Sequence, residues 1–278
     1  MMQIGIFAKT FAGTQPAKVM GQAAAAGFDG VQYNMACSGL AAMPDAVSTD
    51  IAKAVDQAAR QANLSVLAVS GTYNMIHPDP VVRADGHRRL QVLAAAAARM
   101  NTRLITLCTG SRDPHDQWAH HADNTTPEAW RDLLASFEIA IGIADAHSVA
   151  LGIEPELANI VNSAQTARRL IDELQSDRLR IVLDPANLFE RASPVEQRAL
   201  VDQAVGLLAD HITMAHAKDR DATGAFATAG KGVIDFDHFL KTLHRAGFAG
   251  PIVTHGLHAD EAAGVADFLR QKLGTLGL

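Results

Sequence analysis

At 278 residues, with 48% hydrophobic and 19% charged side chains, the chain can build a large core, and its composition makes no case for disorder. A formal net charge of −6 argues against a nucleic-acid partner, which would want a basic surface. The opening MMQIGIFAKTF lacks a basic segment ahead of a long apolar stretch, and no later run is long enough to span a bilayer. The expectation is therefore a cytoplasmic protein with no membrane segment. Neither Cys37 nor Cys108 belongs to a CxxC pair, so no disulfide framework or thiolate zinc site is indicated.

In chain order, strand and helix patterns alternate without a linker. Ile4–Ala8 reads as a strand, and Pro16–Ala26 as an alanine-rich helix stopped by Gly27. Gly30–Tyr33, Leu64–Ser70 and Leu104–Cys108 are the next strands, with helices at Thr49–Ala62 and Val81–Met100 between them. A long loop, TGSRDPHDQWAHHADNTTP, leads to helix Glu128–His147, with Thr126 as its cap and Pro127 at its first position. Strand Ala150–Ile153 ends at Glu154. Ser163 then caps helix Ala164–Leu174, and strand Leu179–Leu183 ends at Asp184. Helix Pro194–Ala209 precedes strand Ile212–Ala215, which ends at His216, and helix Phe236–Ala246 precedes strand Ile252–Thr254, which ends at His255. Helix Glu261–Leu273 is the last.

Eight strand–helix units in this length favour a closed (β/α)8 TIM barrel, a single α/β domain over residues 1–278. No GxGxxG follows the first strand, which weakens a dinucleotide-binding sheet. In such a barrel all strand C-termini open on one face. Glu154, Asp184, His216 and His255 then become neighbours, and carboxylates with imidazoles suit one divalent ion, Mn²⁺, Co²⁺ or Zn²⁺ rather than Mg²⁺. Singly, each residue has an ordinary structural reading; placement at four successive strand ends makes the metal case. Glu156, two residues beyond Glu154, is either a site contact or a solvated loop acid. His77 lies on the same face as a substrate contact. Arg112, Trp118 and His120 belong to a loop long enough to be a lid. The AGKG segment around Lys231 reads as a solvent-facing turn.

The segments IEPE, VLDPANLF, HAKDRD and GKGVIDFDHFLKTLHRAGFAGPIV resemble the xylose isomerase-like TIM barrels. This is the sugar isomerase/epimerase group that includes hydroxypyruvate isomerase, tagatose 3-epimerase and inosose isomerase, and the likeness runs from Ile4 to about Leu273. In that family a strand-five Glu, a strand-six Asp, a strand-seven His and a strand-eight Glu hold one divalent metal. The first three map onto Glu154, Asp184 and His216; the fourth position is His255 here. Asn187 stands where several of the epimerases have a substrate-binding His, and the Lys218–Asp219 pair falls at the site mouth.

The resemblance implies a metal-dependent isomerase or epimerase of a small sugar, keto-polyol or inosose, working through a metal-stabilised enediolate, with Glu154 as ligand and proton acceptor. His255 in place of the second Glu leaves two carboxylates against the dication, which makes the site more electrophilic. The sequence leaves His255 open as ligand or as acid/base. A dehydratase or lyase on a similar substrate and a non-catalytic sugar-binding barrel are the alternatives. Endonuclease IV shares this fold, but Asp221 stands where its three-zinc site wants a histidine. The resemblance also implies a homodimer or homotetramer.

Overall fold

The computed structural model describes residues 2–277; Met1 and Leu278, the ends of the expected 1–278 domain, lie outside the described residues. Eight parallel strands pair in chain order: β1 (Ile4–Phe7), β2 (Gly30–Tyr33), β3 (Ser65–Ser70), β4 (Leu104–Leu107), β5 (Ala150–Ile153), β6 (Leu179–Leu183), β7 (Ile212–Ala217) and β8 (Ile252–Thr254). Pairing of Ile4 with Ile252 closes the barrel. The helices α1 (Pro16–Ala25), α2 (Thr49–Gln61), α3 (Pro80–Ala97), α4 (Pro127–His147), α5 (Ala164–Leu174), α6 (Pro194–Leu208), α7 (Phe236–Arg245) and α8 (Ala262–Leu276) complete a (β/α)8 TIM barrel. Among the described residues no helix is long and apolar enough to cross a membrane. Both cysteines are free and buried.

Local chemistry sets most helix starts. Ser48, Asp79, Thr126 and Asp235 each accept a hydrogen bond from a first-turn backbone N–H, and Ser163 and Ser193 form reciprocal capping boxes. Each such cap is worth about 1 kcal/mol.

Side-chain alternation on the strands divides them by face. Ile181, Leu183, Ala215, Ala217 and Ile252 join the large apolar cluster shared with the helices. Ala68, Val182, Met214 and Val253 form a separate small cluster, the apolar plug inside the barrel. Burial of a side chain of this size stabilises the fold by roughly 1.5–3 kcal/mol. A period of two then determines what stands above the plug: Asp184 follows Val182, His216 follows Met214 and His255 follows Val253. Glycines make the plug possible, since a Cβ on Gly5 would come within 2.4 Å of Leu67 Cδ1.

Two boundaries differ from the sequence reading in informative ways. β7 continues to Ala217, because Val253 and Thr254 pair with His216 and Ala217, so His216 lies within the strand. The helix expected over Val81–Met100 ends its regular part at Ala97, tightens into a 3-10 turn and stops at Asn101, whose φ is +59°.

Candidate metal centre

Glu154, Asp184, His216 and His255 each offer a ligand atom, and these atoms lie within 4.8 Å of one another. Asp184 is held from both sides. Its Oδ1 accepts from the Ala186 N–H at 2.9 Å, capping the 3-10 turn Pro185–Asn187. Its Oδ2 lies 3.1 Å from His255 Nε2 and 3.4 Å from Lys218 Nζ. Glu154 Oε1 accepts from Asn187 Nδ2 at 3.0 Å, and Cys108 Sγ stands 3.9 Å from Oε2.

His216 completes the group. Its Nε2 is 2.9 Å from Gln32 Oε1. Its Nδ1 lies 3.2 Å from Glu154 Oε1, yet is a buried polar atom without a hydrogen bond. Two buried carboxylates, two imidazoles and one unsatisfied ring nitrogen in so small a space fit a divalent cation, and the mixed N/O set suits Mn²⁺, Co²⁺ or Zn²⁺.

The electrostatics hold both carboxylates charged. Burial opposes the charge on Asp184, but the Lys218 ammonium and both imidazoles outweigh it, and its pKa falls below the usual carboxylate range. Burial likewise works against Glu154, where His216 and then His255 bring the net shift downward. Burial alone would lower His216; the Glu154 and Asp184 charges turn its shift upward. His255 goes the other way, lowered by burial and by the neighbouring His216. Lys218 shows a raised pKa because Asp184, Glu154 and Glu156 together overcome its burial. Glu156 is pushed up to about 7, first by burial and then by the Glu154 charge.

These groups border a cavity of about 500 Å³, on which Glu154, Glu156, His216, Lys218 and His255 all open. Trp118 and Phe226 also line it while remaining 47% and 51% exposed, which places two aromatic surfaces at its mouth. Phe226 arrives on a short antiparallel ribbon, Asp219–Arg220 with Phe226–Ala227. The Lys218 ammonium is 3.8 Å and the Arg220 guanidinium 4.2 Å from its ring centroid. Asn187 is buried behind Glu154, where its Oδ1 also accepts from Lys218 Nζ at 3.4 Å.

Of the residues singled out in the sequence, His77, Arg112, His120 and Asp219 stand apart from the cavity wall, His120 in a separate depression beside Trp130, while Asp184 and Asn187 are buried beneath it. His77 bonds through its ring to Pro114 O and the Asp79 N–H, in a shallow depression of its own beside Trp118. Arg112 donates to Ile76 O at 2.9 Å and to Asp132 at 2.6 Å, tying two loops together. The Asp219 carboxylate accepts from the backbone N–H groups of Arg220, Gly230, Gly232 and Ile234. AGKG faces solvent as expected, but it is also tied down: the Gly230 and Gly232 amides donate to Asp219, and Lys231 pairs with Glu261 at 2.6 Å. Gln32, Thr106 and Phe226 went unnoticed in the sequence. Gln32 had one faint signal, a lone amide in the buried strand GVQY.

Residues 20–272 match the family described as xylose isomerase-like TIM barrel, and the chain belongs to that family. Several solved structures share the fold. A 3-keto-D-glucoside 4-epimerase from E. coli is 17% identical, with a TM-score of 0.77 over 98% of this chain and 100% of its own. An L-ribulose 3-epimerase is 18% identical, with a TM-score of 0.76 over 99% and 95% of the two chains. A D-psicose 3-epimerase from Clostridium cellulolyticum H10, solved with D-tagatose, is 17% identical at 0.75 over 98% and 99%. No curated protein matches the chain in sequence.

Proposed function

We propose that the chain is a divalent-metal-dependent isomerase or epimerase acting on a small sugar, keto-polyol or inosose. The carrying observation is the convergence of two carboxylates and two imidazoles within 4.8 Å at the floor of an open cavity. The epimerase activities printed for the structural neighbours agree with it. Glu154, Asp184, His216 and His255 would hold the cation, which when bound favours negative charge on a carbonyl oxygen and the adjacent hydroxyl.

The protein's own groups then divide the work. Glu154, ionised and fixed through Oε1 by Asn187, takes the carbon-bound proton beside the carbonyl with Oε2. His255 faces the same cavity from the adjacent wall; as a ligand its lone pair would be taken by the cation, and standing off from it the ring would serve as the second acid/base. Lys218 opposes negative charge on a substrate oxygen, and Glu156 takes hydrogen bonds from substrate hydroxyls. Trp118 and Phe226 cover the apolar faces of the sugar ring.

The test is deuterium exchange. A panel of ketoses and inososes in D₂O with Mn²⁺, Co²⁺ or Zn²⁺ is expected to include at least one compound that gains deuterium beside its carbonyl. Bound metal with no exchange into any of them would sink the isomerase reading. Accumulation of a dehydrated product would assign the same site to elimination instead.

A further inference from the structure

The inward register of β2 places Gln32 two residues beyond Gly30, and its side chain is buried against β4 and β7. Its Oε1 lies 2.9 Å from His216 Nε2, and its Nε2 donates to Thr106 Oγ1 at 3.0 Å. A glutamine amide carries its donors on nitrogen and its acceptor on oxygen. The amide is oriented with its nitrogen on the Thr106 hydroxyl and its oxygen on the imidazole, where an oxygen can only accept. His216 Nε2 must therefore carry the hydrogen, which leaves the lone pair of the neutral ring on Nδ1. Nδ1 is the buried, unsatisfied atom, 3.2 Å from Glu154 Oε1 and 4.0 Å from Asp184 Oδ2.

We propose that Gln32, anchored by Thr106, is a positioning residue that selects the Nε2–H tautomer of His216 and so presents Nδ1 to a divalent cation. This rests on the metal reading above. Imidazole ligands commonly direct their second nitrogen at a carboxylate, a carbonyl or water. Here an uncharged amide does so, orienting the ring without adding a third negative charge to the centre. His255 has no comparable support: among the described residues its ring makes one side-chain hydrogen bond, to Asp184. The two imidazoles are thus unequal, one clamped and one held only by a fellow ligand.

The experiment compares the full-length wild type with Gln32→Leu, Gln32→Glu and Thr106→Val. Zn²⁺ and Mn²⁺ affinities are measured by chelator competition, and the zinc-loaded proteins are examined by ¹H–¹⁵N histidine spectra. Wild type is expected to show His216 protonated at Nε2 with Nδ1 ligated. Gln32→Leu should bind metal about 10- to 100-fold more weakly and lose the Nε2–H signal. Gln32→Glu, which keeps an acceptor, should restore both. Thr106→Val, which removes only a hydroxyl, carries the test if Gln32→Leu fails to fold, and should weaken metal binding with a mixture of tautomers. Wild-type affinity and an unchanged tautomer in Gln32→Leu, or in Thr106→Val where it stands in, overturn the assignment while leaving the metal site intact. A wild-type protein that binds neither cation overturns the metal reading itself.

Discussion

Asp184 illustrates how much depends on single atoms. One oxygen caps a turn and the other meets His255 and Lys218, so its carboxylate is both scaffold and candidate ligand. Asp184→Ala should abolish stoichiometric Mn²⁺ or Zn²⁺ binding measured by calorimetry; retained binding would remove Asp184 from the site. Lys218 is a different case, because its ammonium neutralises charge without offering a lone pair. Lys218→Met should leave metal stoichiometry unchanged while lowering kcat by roughly 10²-fold or more, the scale for losing one electrostatic stabiliser. An unaltered kcat in that variant would confine Lys218 to structure. The four positions of the cluster were readable because a buried strand that ends on an acid or a histidine breaks its own apolar pattern. Gln32 was not, since the faint contrast of a neutral amide in a strand does not point to a partner, and its meaning comes from His216, 184 residues away.

Among the elements, the segment after β7 differs most from its reading in the sequence. Asp219 was expected to orient substrate at the site mouth beside Lys218; its carboxylate instead accepts from four backbone N–H groups of the segment that leads to α7. Hydrogen bonds to a charged acceptor are among the stronger ones, and removing it strands buried N–H groups. Asp219→Ala should therefore destabilise the protein by about 2–4 kcal/mol in urea unfolding. A change below about 0.5 kcal/mol would contradict the cradle. Such a carboxylate cannot be told from a solvated one in sequence, because its partners are main-chain amides common to every residue. The helices were far more legible: Thr126, Pro127 and Ser163 announce their starts through local chemistry alone. The helical end at Met100 was read as well; what the residues gave no sign of is the tightening of its last turn before Asn101.

For the whole molecule, eight-fold alternation was enough to indicate closure, but the interior packing that makes closure possible was not visible. Leu67 fills space left by glycines on β1 and β2. Gly5→Ala should cost roughly 1–3 kcal/mol by overpacking. Leu67→Ala in the same chain should make the double variant less destabilised than the sum of the singles; strict additivity in denaturation midpoints would argue against this contact. The four candidate ligands stand just past β5, β6 and β8 and within β7, so a cation held there would tie half of the barrel together. At a free concentration of one hundred times Kd it should add about 2.7 kcal/mol to stability. The melting temperature should then rise with added Mn²⁺ and fall back on treatment with EDTA; no shift would place the metal outside this centre.

The Asp219 cradle has a consequence for how such a protein can change over time. The segment between Asp221 and Thr228 is pinned at its base by one carboxylate and latched at its far side by Glu261, which bonds Thr228 and Lys231. What lies between includes Phe226 at the rim, whose ring covers the Lys218 ammonium, and none of the four candidate ligands. It can be exchanged as a cassette, with new side chains offered to new substrates while the donor atoms below stay where the strands put them. On the proposed function, selectivity and chemistry would be separable in this barrel, with the seam between them at a single aspartate.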